Sequence, residues 1–383
     1  MTLFHNTFEK KLQPLIKWAG GKEKELKHIL PLIPTSFEKY FEPFVGGGAV
    51  YFAIEAQKYY INDKSDELIN LYLAIKMQDE EFFQAIYILN HKWKKLAEII
   101  YQYQNSLINL YKSFRNNTTD IKKIEKNIYH IFQKNKEIKD IFTFFQLYEI
   151  DTLEHIVHTM VQKFIRTKKI EQKKGLLSEK DIIDNIESAI RAAFYTKIRS
   201  IYNSYKAILP PSKYTALFFF IRNYAYSGMF RYNAKGDFNV PYGGIGYNKK
   251  NLDKKILYFK SNLLYEKLQQ TEISNLDFED FLNRFKPTKD DFIFLDPPYD
   301  SEFSTYAQNK FTKDDQKRLA HYLIHHCKAK WMLVIKYTEF IYNLYASHNH
   351  LFIQSFNKKY LVSFKNRNNK DAQHLIITNY SQK

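Results

Sequence analysis

The sequence predicts a doubly wound α/β fold that is interrupted by a large helical insert, and three observations indicate it. Short apolar runs alternate with helical periods near both ends of the chain, as expected when helices cover both faces of a largely parallel sheet. A glycine-rich turn follows an apolar run early in the chain. Between residues 78 and 204 there is no Pro, Gly occurs only at Gly175, and apolar residues recur at spacings of three and four, which favours several long helices.

The first 77 residues contain one half of the expected sheet. Phe41–Val45 is interpreted as the end of a strand and Tyr59–Asn62 as a second strand. We expect Ala49–Ala56 to open a helix between them, and the apolar spacing of Asp66–Lys76 predicts another helix.

The C-terminal region contains the other half of the sheet. We expect strands at Phe292–Leu295, Trp331–Ile335 and His374–Thr378. Asn357-Lys358-Lys359 lies between the apolar runs Leu351–Ser355 and Tyr360–Phe364, which suggests a hairpin.

These regions predict two domains. Residues 1–77 and 286–383 are expected to form one domain, and residues 78–285 a helical insert followed by a β-hairpin near 226–247. Within the insert, we expect the helices to break near Asn116–Thr119 and Lys174–Ser178.

Charge and cysteine content restrict the function. The 58 Lys and Arg exceed the 41 Asp and Glu, giving a formal net charge of +17, and such a surplus favours a polyanionic partner. A lysine-rich composition caused by an AT-rich genome would explain the charge equally well.

The single cysteine, Cys327, excludes a disulfide framework and fits a reducing cytoplasm. We expect no signal peptide, and the longest apolar stretch, near Ala216–Ile221, is too short to span a bilayer.

Residues 41–48, Phe-Glu-Pro-Phe-Val-Gly-Gly-Gly, have the composition of a ligand-binding turn. Glycines let the backbone turn sharply and approach a ligand closely. Asp63 follows the next expected strand, where a carboxylate can hydrogen-bond ribose hydroxyls. The pattern suits a nucleoside cofactor. The incomplete G-x-G-x-x-G spacing makes a dinucleotide the weaker interpretation, and an ordinary βα turn is the alternative without a ligand.

A second glycine-rich element, Lys17–Lys22, lies near the N-terminus. Trp18 offers an aromatic face and Lys22 a positive charge, which together could hold a zwitterionic ligand. A surface turn with a half-buried Trp is the alternative interpretation.

Asp296-Pro297-Pro298-Tyr299 directly follows an expected strand and carries specific chemistry. An exocyclic amine conjugated into a base ring is a poor nucleophile because its lone pair is delocalised. The Asp296 carboxylate and the Pro297 carbonyl could accept its two hydrogens and make the lone pair available. Proline makes these acceptors rigid, and Tyr299 provides a ring on which an extruded base can stack. The alternative is a proline-stiffened turn without a catalytic role.

Taken in chain order, these motifs resemble the Dam-like DNA adenine-N6 methyltransferases, whose cofactor motif precedes the target-recognition region and whose DPPY comes last. The resemblance implies a Rossmann-like mixed sheet of the class I methyltransferase type. It also implies S-adenosylmethionine as the methyl donor, double-stranded DNA as the substrate and no metal. The segment from about 78 to 204 is longer than expected and matches nothing in the family pattern.

The resemblance also implies roles for individual residues. The implied cofactor-binding residues are Trp18, Lys22, Phe44, Gly46, Gly48, Asp63, Asp277, Phe278 and Asp296. Among them, Lys22 would lie near the methionyl carboxylate, Asp63 would bind the ribose, and Asp277 and Phe278 would lie beside the adenine ring. The catalytic segment would be Asp296–Tyr299.

A basic and aromatic stretch at 222–242 has Ala234-Lys235-Gly236-Asp237 at its centre, which predicts a hairpin turn. A two-stranded ribbon can enter a major groove, where Arg is the commonest reader of guanine. In the family this hairpin contacts the target site, so Arg231 is expected to read a base and Tyr226 to stack or act as a wedge. Asn233, Lys235 and Asn239 are expected to contact bases or backbone. Ser227, Met229 and Phe230 depart from the Dam pattern, so a GATC target does not follow.

The expected mechanism is base flipping followed by direct in-line transfer, without a covalent enzyme intermediate. The alternatives are methylation of the exocyclic amine of cytosine, a non-catalytic DNA-binding protein with this fold and, less favoured, a fused nuclease or an RNA or protein amide methyltransferase. We expect a monomer or weak dimer in the cytoplasm. It would be either an orphan methylase or the partner of a cognate restriction endonuclease, and a phage or mobile-element origin is compatible with the sequence.

Overall fold

Seven strands form one mixed sheet in the computed structural model, which describes residues 11–18, 20–144, 152–299, 311–359 and 371–381. The strands are β1 Lys39–Glu42, β2 Lys58–Asn62, β3 Thr271–Ser274, β4 Phe292–Leu295, β5 Lys330–Lys336, β6 Phe352–Lys359 and β7 Asp371–Thr378. Their spatial order is β3-β2-β1-β4-β5-β7-β6. The first five are parallel, and β7 is antiparallel to both β5 and β6. The predicted doubly wound α/β class is therefore confirmed.

The helices lie between these strands and in the long insert. They are α1 Leu26–Ile29, α2 Asp66–Lys76, α3 Glu80–Arg115, α4 Ile121–Gln133, α5 Lys136–Phe142, α6 Thr152–Lys174, α7 Glu179–Ser204, α8 Pro211–Tyr224, α9 Asp253–Phe259, α10 Asn262–Gln269, α11 Phe278–Phe285, α12 Lys313–His325 and α13 Glu339–Tyr345. Among the described residues, no helix is both long and apolar enough to cross a membrane.

The chain divides into two compact units. The first comprises residues 1–78, 234–236 and 258–383, and the second residues 79–233 and 237–257. The division differs from the expected one because the stretch before residue 286 contributes β3, which pairs with β2 at the edge of the sheet. β3 has four residues, and only two of their side chains are fully buried. Its apolar pattern is therefore too weak for the strand to be recognised in the sequence.

Apolar strands at the centre of the sheet build the core of the first unit. All four residues of β4 are buried, as expected for a parallel strand covered on both faces. One face carries a contiguous cluster that includes Phe41, Phe281, Ile293, Leu295, Trp331, Leu333, Ile335, Leu375 and Ile377. Because this core fixes the strands, the loops at their ends start from defined positions.

The second unit is largely helical, and its predicted helix breaks are confirmed. α3 ends at Arg115 and α4 begins at Ile121, with Asn117 at a φ of +60° between them. α6 ends at Lys174, where Gly175 has a φ of +90°. Asn and Gly tolerate this left-handed backbone at low cost, which is why the helices end there.

Three local predictions are wrong. The strand expected to end at Val45 ends at Glu42, because Pro43 has no N–H to donate to the sheet. Ala49–Ala56 does not form an α-helix but only a 3₁₀ turn at Tyr51–Ala53, because the Tyr51 ring is buried and its hydroxyl is 2.6 Å from Thr271 Oγ1. Residues 357–359 do not form a turn. They continue β6 and pair with β7, since a ladder partner outweighs weak turn propensity. The expected strand Tyr360–Phe364 lies outside the described residues.

Candidate active site

Four loops that carry predicted site residues leave the same edge of the sheet. They come after the carboxyl ends of β1, β2, β3 and β4, which are parallel neighbours in the order β3-β2-β1-β4. In open α/β sheets ligands bind outside the carboxyl ends of the strands, where the strand order reverses. Here that point lies between β1 and β4, because β2 and β3 follow β1 on one side and β5 follows β4 on the other.

The loop after β1 can be made only with glycine at its centre. Gly46 and Gly48 have φ values of +50° and +84°. A Cβ on Gly47 would lie 2.4 Å from the Ile16 carbonyl oxygen, and one on Gly46 would lie 2.9 Å from the Trp18 ring. The loop is therefore packed directly against the element that contains Trp18.

Asp63 closes this loop from the end of β2. Its carboxylate accepts hydrogen bonds from the backbone N–H of Gly46 and of Ser65, both at 3.0 Å. Burial raises the pKa of Asp63 to about 6, although the hydrogen bonds from backbone N–H groups favour the charged form. The carboxylate is thus held in place and still has lone pairs for a ligand.

Asn62, which the sequence did not single out, joins three of the loops. Its side-chain amide donates to the carbonyl oxygens of Pro43 and Leu276, each at 3.0 Å, and its side-chain oxygen accepts from Leu276 N–H at 2.8 Å. It is 1% exposed. Only the structure reveals this role, because the partners are 19 and 214 residues away along the chain.

Lys22 and Asp296 form an ion pair at the centre of the site. The Lys22 side chain is 2% exposed and that of Asp296 is 18% exposed. Lys22 Nζ also donates to the Gly20 carbonyl at 3.1 Å and to the Tyr299 hydroxyl at 3.3 Å. The structure therefore brings the N-terminal element and the DPPY segment together, which the sequence did not predict as a direct contact.

Glu42 lies beside this pair and also received no role from the sequence. It is buried at the end of β1 and accepts a hydrogen bond from the Tyr40 hydroxyl at 2.6 Å. Burial raises the pKa of Glu42 well above its usual range, and the negative charge of Asp296 raises it further. A carboxyl group that resists ionisation limits the negative charge close to Asp296.

Asp277 and Phe278 begin α11. The Asp277 carboxylate caps the helix and binds both terminal nitrogens of the Arg318 guanidinium, at 2.7 and 3.0 Å. Burial opposes its ionisation, but the hydrogen bonds from Arg318 outweigh burial and hold the pKa of Asp277 below its ordinary value. Phe278 is buried with its ring 5.7 Å from that of Phe44, so it forms the floor of the site rather than an open stacking face.

The predicted hairpin is present as a short antiparallel ribbon. Tyr232 pairs with Phe238 in an isolated bridge, and Asn239 N–H donates to the Arg231 carbonyl at 3.1 Å. Gly236 has the left-handed φ of +83° that the turn requires. Arg231 is exposed and its Nε donates to Asn239 Oδ1 at 2.9 Å, so these two predicted DNA contacts are neighbours.

Helix α7 of the insert supports one limb of the ribbon. Asn203 makes two hydrogen bonds with the backbone of Phe238, at 2.9 and 3.0 Å. The Tyr195 hydroxyl and Arg199 each donate to the Val240 carbonyl at 2.9 Å. The insert, for which the sequence suggested no use, therefore fixes this limb of the ribbon.

Arg222 supports the other limb of the ribbon from α8. It is 3% exposed and donates to the carbonyl oxygens of Gly228 and Met229 at 3.2 and 2.8 Å. Tyr226, the expected wedge, is 45% exposed, and its N–H donates to the Pro241 carbonyl at 2.9 Å.

One histidine lies close to these loops: His374 is buried, and its ring centroid is 5.6 Å from that of Tyr299. In the described part of the chain, no group of three or more His, Cys, Asp or Glu side chains is arranged to hold a metal ion. His321 and His325 lie on α12 and His326 at its end, as expected of a helix face. Burial raises the pKa of Cys327 to about 12, so its thiol stays protonated.

Comparison with known proteins points to one family. The family model for the D12 class N6 adenine-specific DNA methyltransferases matches residues 18–136 and 94–360. The chain is similar to the type II methyltransferase M.CviBI of Paramecium bursaria Chlorella virus NC1A, with 26% identity over 374 residues that cover 96% of this chain and 100% of that protein. For M.MjaIII of Methanocaldococcus jannaschii the identity is 28% over 387 residues, covering 96% and 99%. For the DNA adenine methylase of Escherichia coli K12 it is 23% over 317 residues, covering 81% and 75%.

Proposed function

The chain belongs to the D12 class of N6 adenine-specific DNA methyltransferases, and from this premise we propose that Asp296 and the Pro297 carbonyl activate the target amine. The observation that carries the proposal is the position of Asp296. It follows β4, which pairs directly with β1, and it is bound by Lys22 from the element that packs on the glycine loop. The acceptor group and the nucleoside-binding loop thus leave adjacent strands.

The groups around the glycine loop fit S-adenosylmethionine as the methyl donor. The glycine loop carries no side chains at Gly46–Gly48 and lies against Trp18, Asp63 offers acceptors for ribose hydroxyls, and Phe44 with Phe278 provides an apolar floor. Bound there, S-adenosylmethionine would supply a methyl group on a sulfonium, which is a good leaving group. Lys22 would attract the methionyl carboxylate by its charge while its N–H groups hold Asp296, Tyr299 and Gly20.

The chain's own groups then account for transfer to a flipped adenine. The carboxylate of Asp296 and the carbonyl of Pro297 accept the two N6 hydrogens and draw the nitrogen toward tetrahedral geometry. The adenine ring stacks on Tyr299, whose hydroxyl is already held by Lys22. In the proposed in-line transfer the N6–CH3 bond would form as the S–CH3 bond breaks and the neutral thioether leaves. The surplus N6 proton would pass through the Asp296 carboxylate to solvent, and since no covalent enzyme intermediate forms, catalysis is mostly positioning. The competing cytosine reaction would give a different methylated base.

The ribbon is proposed to read double-stranded DNA. Between Lys206 and Lys255 there are nine basic and two acidic side chains, a local surplus suited to phosphate contacts. On the ribbon, Arg231 would read a base, Tyr226 would fill the gap left by the flipped base, and Asn233, Lys235 and Asn239 would contact bases or phosphates.

Restriction-modification is the proposed setting, with a cognate endonuclease as partner, because two relatives of nearly full coverage are named type II methyltransferases. We propose that the protein acts as a monomer or weak dimer, since one chain can supply both the glycine loop and the DPPY segment, and that it acts in the cytoplasm, where its DNA substrate lies.

The test is methylome sequencing of a host that expresses the wild-type chain or Asp296→Ala. We expect N6-methyladenine at one defined sequence with the wild type. For the purified Ala variant we expect the transfer rate to fall by about 10²- to 10³-fold or more, the usual cost of removing a preorganised polar group. Binding of S-adenosylmethionine in calorimetry should persist. N4-methylcytosine in the product, or full activity of the variant, would refute the proposal.

A further inference from the structure

Gln316 is a buried amide that contacts the DPPY segment from another element. It lies on α12, its side chain is 0% exposed, and its Nε2 donates to the Pro298 carbonyl at 2.9 Å. Its Oε1 is also buried and has no hydrogen-bond partner among the described residues. Burying an amide with one unsatisfied acceptor costs stability, so folding alone would favour an apolar residue here.

The DPPY segment needs such an external anchor. Neither Pro297 nor Pro298 has an N–H, so the backbone between Asp296 and Tyr299 can be held only through carbonyl oxygens and ring contacts. Pro298 is exposed, so packing of its own ring holds it weakly. The Gln316 amide therefore supplies an anchor that the segment's own sequence cannot.

Helix α12 is itself fixed independently of the DPPY segment. A capping box between Thr312 and Asp315 defines its first turn. Arg318, two residues after Gln316, binds Asp277 through two nitrogens and also reaches Glu279 and Asp315, each at 3.0 Å. These charged hydrogen bonds tie α12 to the start of α11, so the Gln316 amide projects from a rigid support.

We propose that Gln316 is a positioning residue for methyl transfer. By holding the Pro298 carbonyl it fixes the rigid Pro297-Pro298 pair, and through that pair it keeps the Pro297 carbonyl and the Asp296 carboxylate aimed at the target amine. Gln316 touches neither the amine nor the methyl donor. The inference rests on the proposed function of Asp296, and it gives a reason for burying an amide whose side chain makes, among the described residues, one hydrogen bond, to Pro298.

The first test compares Gln316→Leu with wild type under single-turnover conditions. Leu has a similar volume but no donor, so the Pro298 carbonyl loses its partner. A displacement of about 1 Å at reacting groups can cost about 100-fold in rate. We therefore expect the transfer rate to fall about 10- to 100-fold, while the Kd for S-adenosylmethionine and the KM for DNA stay within about threefold. Rates are normalised to the fraction of protein that binds S-adenosylmethionine.

Gln316→Glu separates positioning from a merely structural role. A protonated Glu can donate to the Pro298 carbonyl, but an ionised one repels it, and burial favours the protonated form. The rate of this variant, divided by that of wild type at each pH, should therefore rise as pH falls from 8 to 6. The Leu variant should show no such recovery. Lys317→Gln is the matched control, because Lys317 is the next residue of α12 and its side chain is 59% exposed; its rate should equal that of wild type.

The outcomes are distinct. If wild type methylates adenine and Gln316→Leu transfers as fast, or if the Glu variant is as slow as the Leu variant at every pH from 8 to 6, the positioning role is refuted and the proposed function stands. If Asp296→Ala retains full activity, the proposed function fails regardless of the Gln316 variants. A reduced rate for Leu together with pH-dependent rescue by Glu supports the inference.

Discussion

At the residue scale, the pair of Lys22 and Asp296 determines the electrostatics of the site. A lysine that is 2% exposed would be costly to bury alone, so the carboxylate stabilises it, and the ammonium in turn fixes the carboxylate. The sequence identified both residues through separate motifs. It did not predict their contact, because no spacing rule links residues so far apart in the chain.

Asp63 leads to a prediction about pH. Its pKa is raised to about 6 by burial, and ribose hydroxyls bind a carboxylate more tightly than a protonated carboxyl group, which has lost its charge and one acceptor oxygen. The ionised, binding form therefore prevails above about pH 6 and is lost below it. We expect the affinity for S-adenosylmethionine in calorimetry to fall between pH 7 and pH 5, by at most about tenfold per pH unit.

The control for this effect is Asp63→Asn, which keeps the shape of the side chain but cannot ionise. Its affinity should be lower at pH 7, because one acceptor for the Gly46 and Ser65 N–H groups becomes a donor. Titration of the methyl donor itself affects both proteins equally. A pH step of the same size in the Asn variant would show that Asp63 is not the titrating group.

At the element scale, buried strands and capped helices could be predicted far better than the loops beyond them, although β1 ends at Glu42 and not at Val45. The bounds of β4 and α2 match the sequence interpretation, because an apolar run and a capped helical period are local signals. The prediction of a helix after the glycine loop was wrong because burial of the Tyr51 ring, a tertiary effect, stops the helix after one turn. For the same reason Asn62, Gln316 and Arg318 escaped notice, since their partners come from distant elements.

The glycine loop gives a prediction about packing. Replacing Gly47 with Ala would place Cβ 2.4 Å from the Ile16 carbonyl oxygen, which is backbone and cannot move aside cheaply. We expect Gly47→Ala to lower the free energy of unfolding by about 1–3 kcal/mol, the usual cost of overpacking, and to weaken S-adenosylmethionine binding. Thermal unfolding with and without the cofactor measures both effects.

Gly246→Ala is the matched control for that substitution. A Cβ there meets nothing within 4 Å, and Gly246 does not have a positive φ. Its stability should stay within about 0.5 kcal/mol of wild type. Equal melting temperatures for the two Ala variants would show that stability does not depend on the close approach of the Gly47 backbone to Ile16.

At the scale of the whole molecule, the order of the motifs was enough to predict the fold class and the family, but not the boundary between the units. That boundary depends on β3, a short edge strand that is recognisable only by its pairing with β2. The target ribbon was predicted from its turn residues. The support of the ribbon by α7 could not be predicted, because Asn203 and Phe238 meet only after the insert has folded.

The net charge of +17 gives a final prediction about DNA binding. Each phosphate that a cationic side chain neutralises releases counterions, so affinity for duplex DNA should fall steeply with salt. If about six phosphates are contacted, the Kd for a duplex should rise about 10³-fold between 50 and 200 mM salt. The Kd for S-adenosylmethionine, which is not a polyanion, should change far less over that range.

A variant of the ribbon makes this prediction specific to the proposed surface. Lys235→Gln removes one exposed cation at the ribbon turn, and the slope of log Kd against log salt should decrease by about one unit. Lys317→Gln removes an exposed cation from α12, and its slope should equal that of wild type. Equal slopes for all three proteins would mean that the charge surplus acts through the general field of the molecule, and that Lys235 contacts no phosphate.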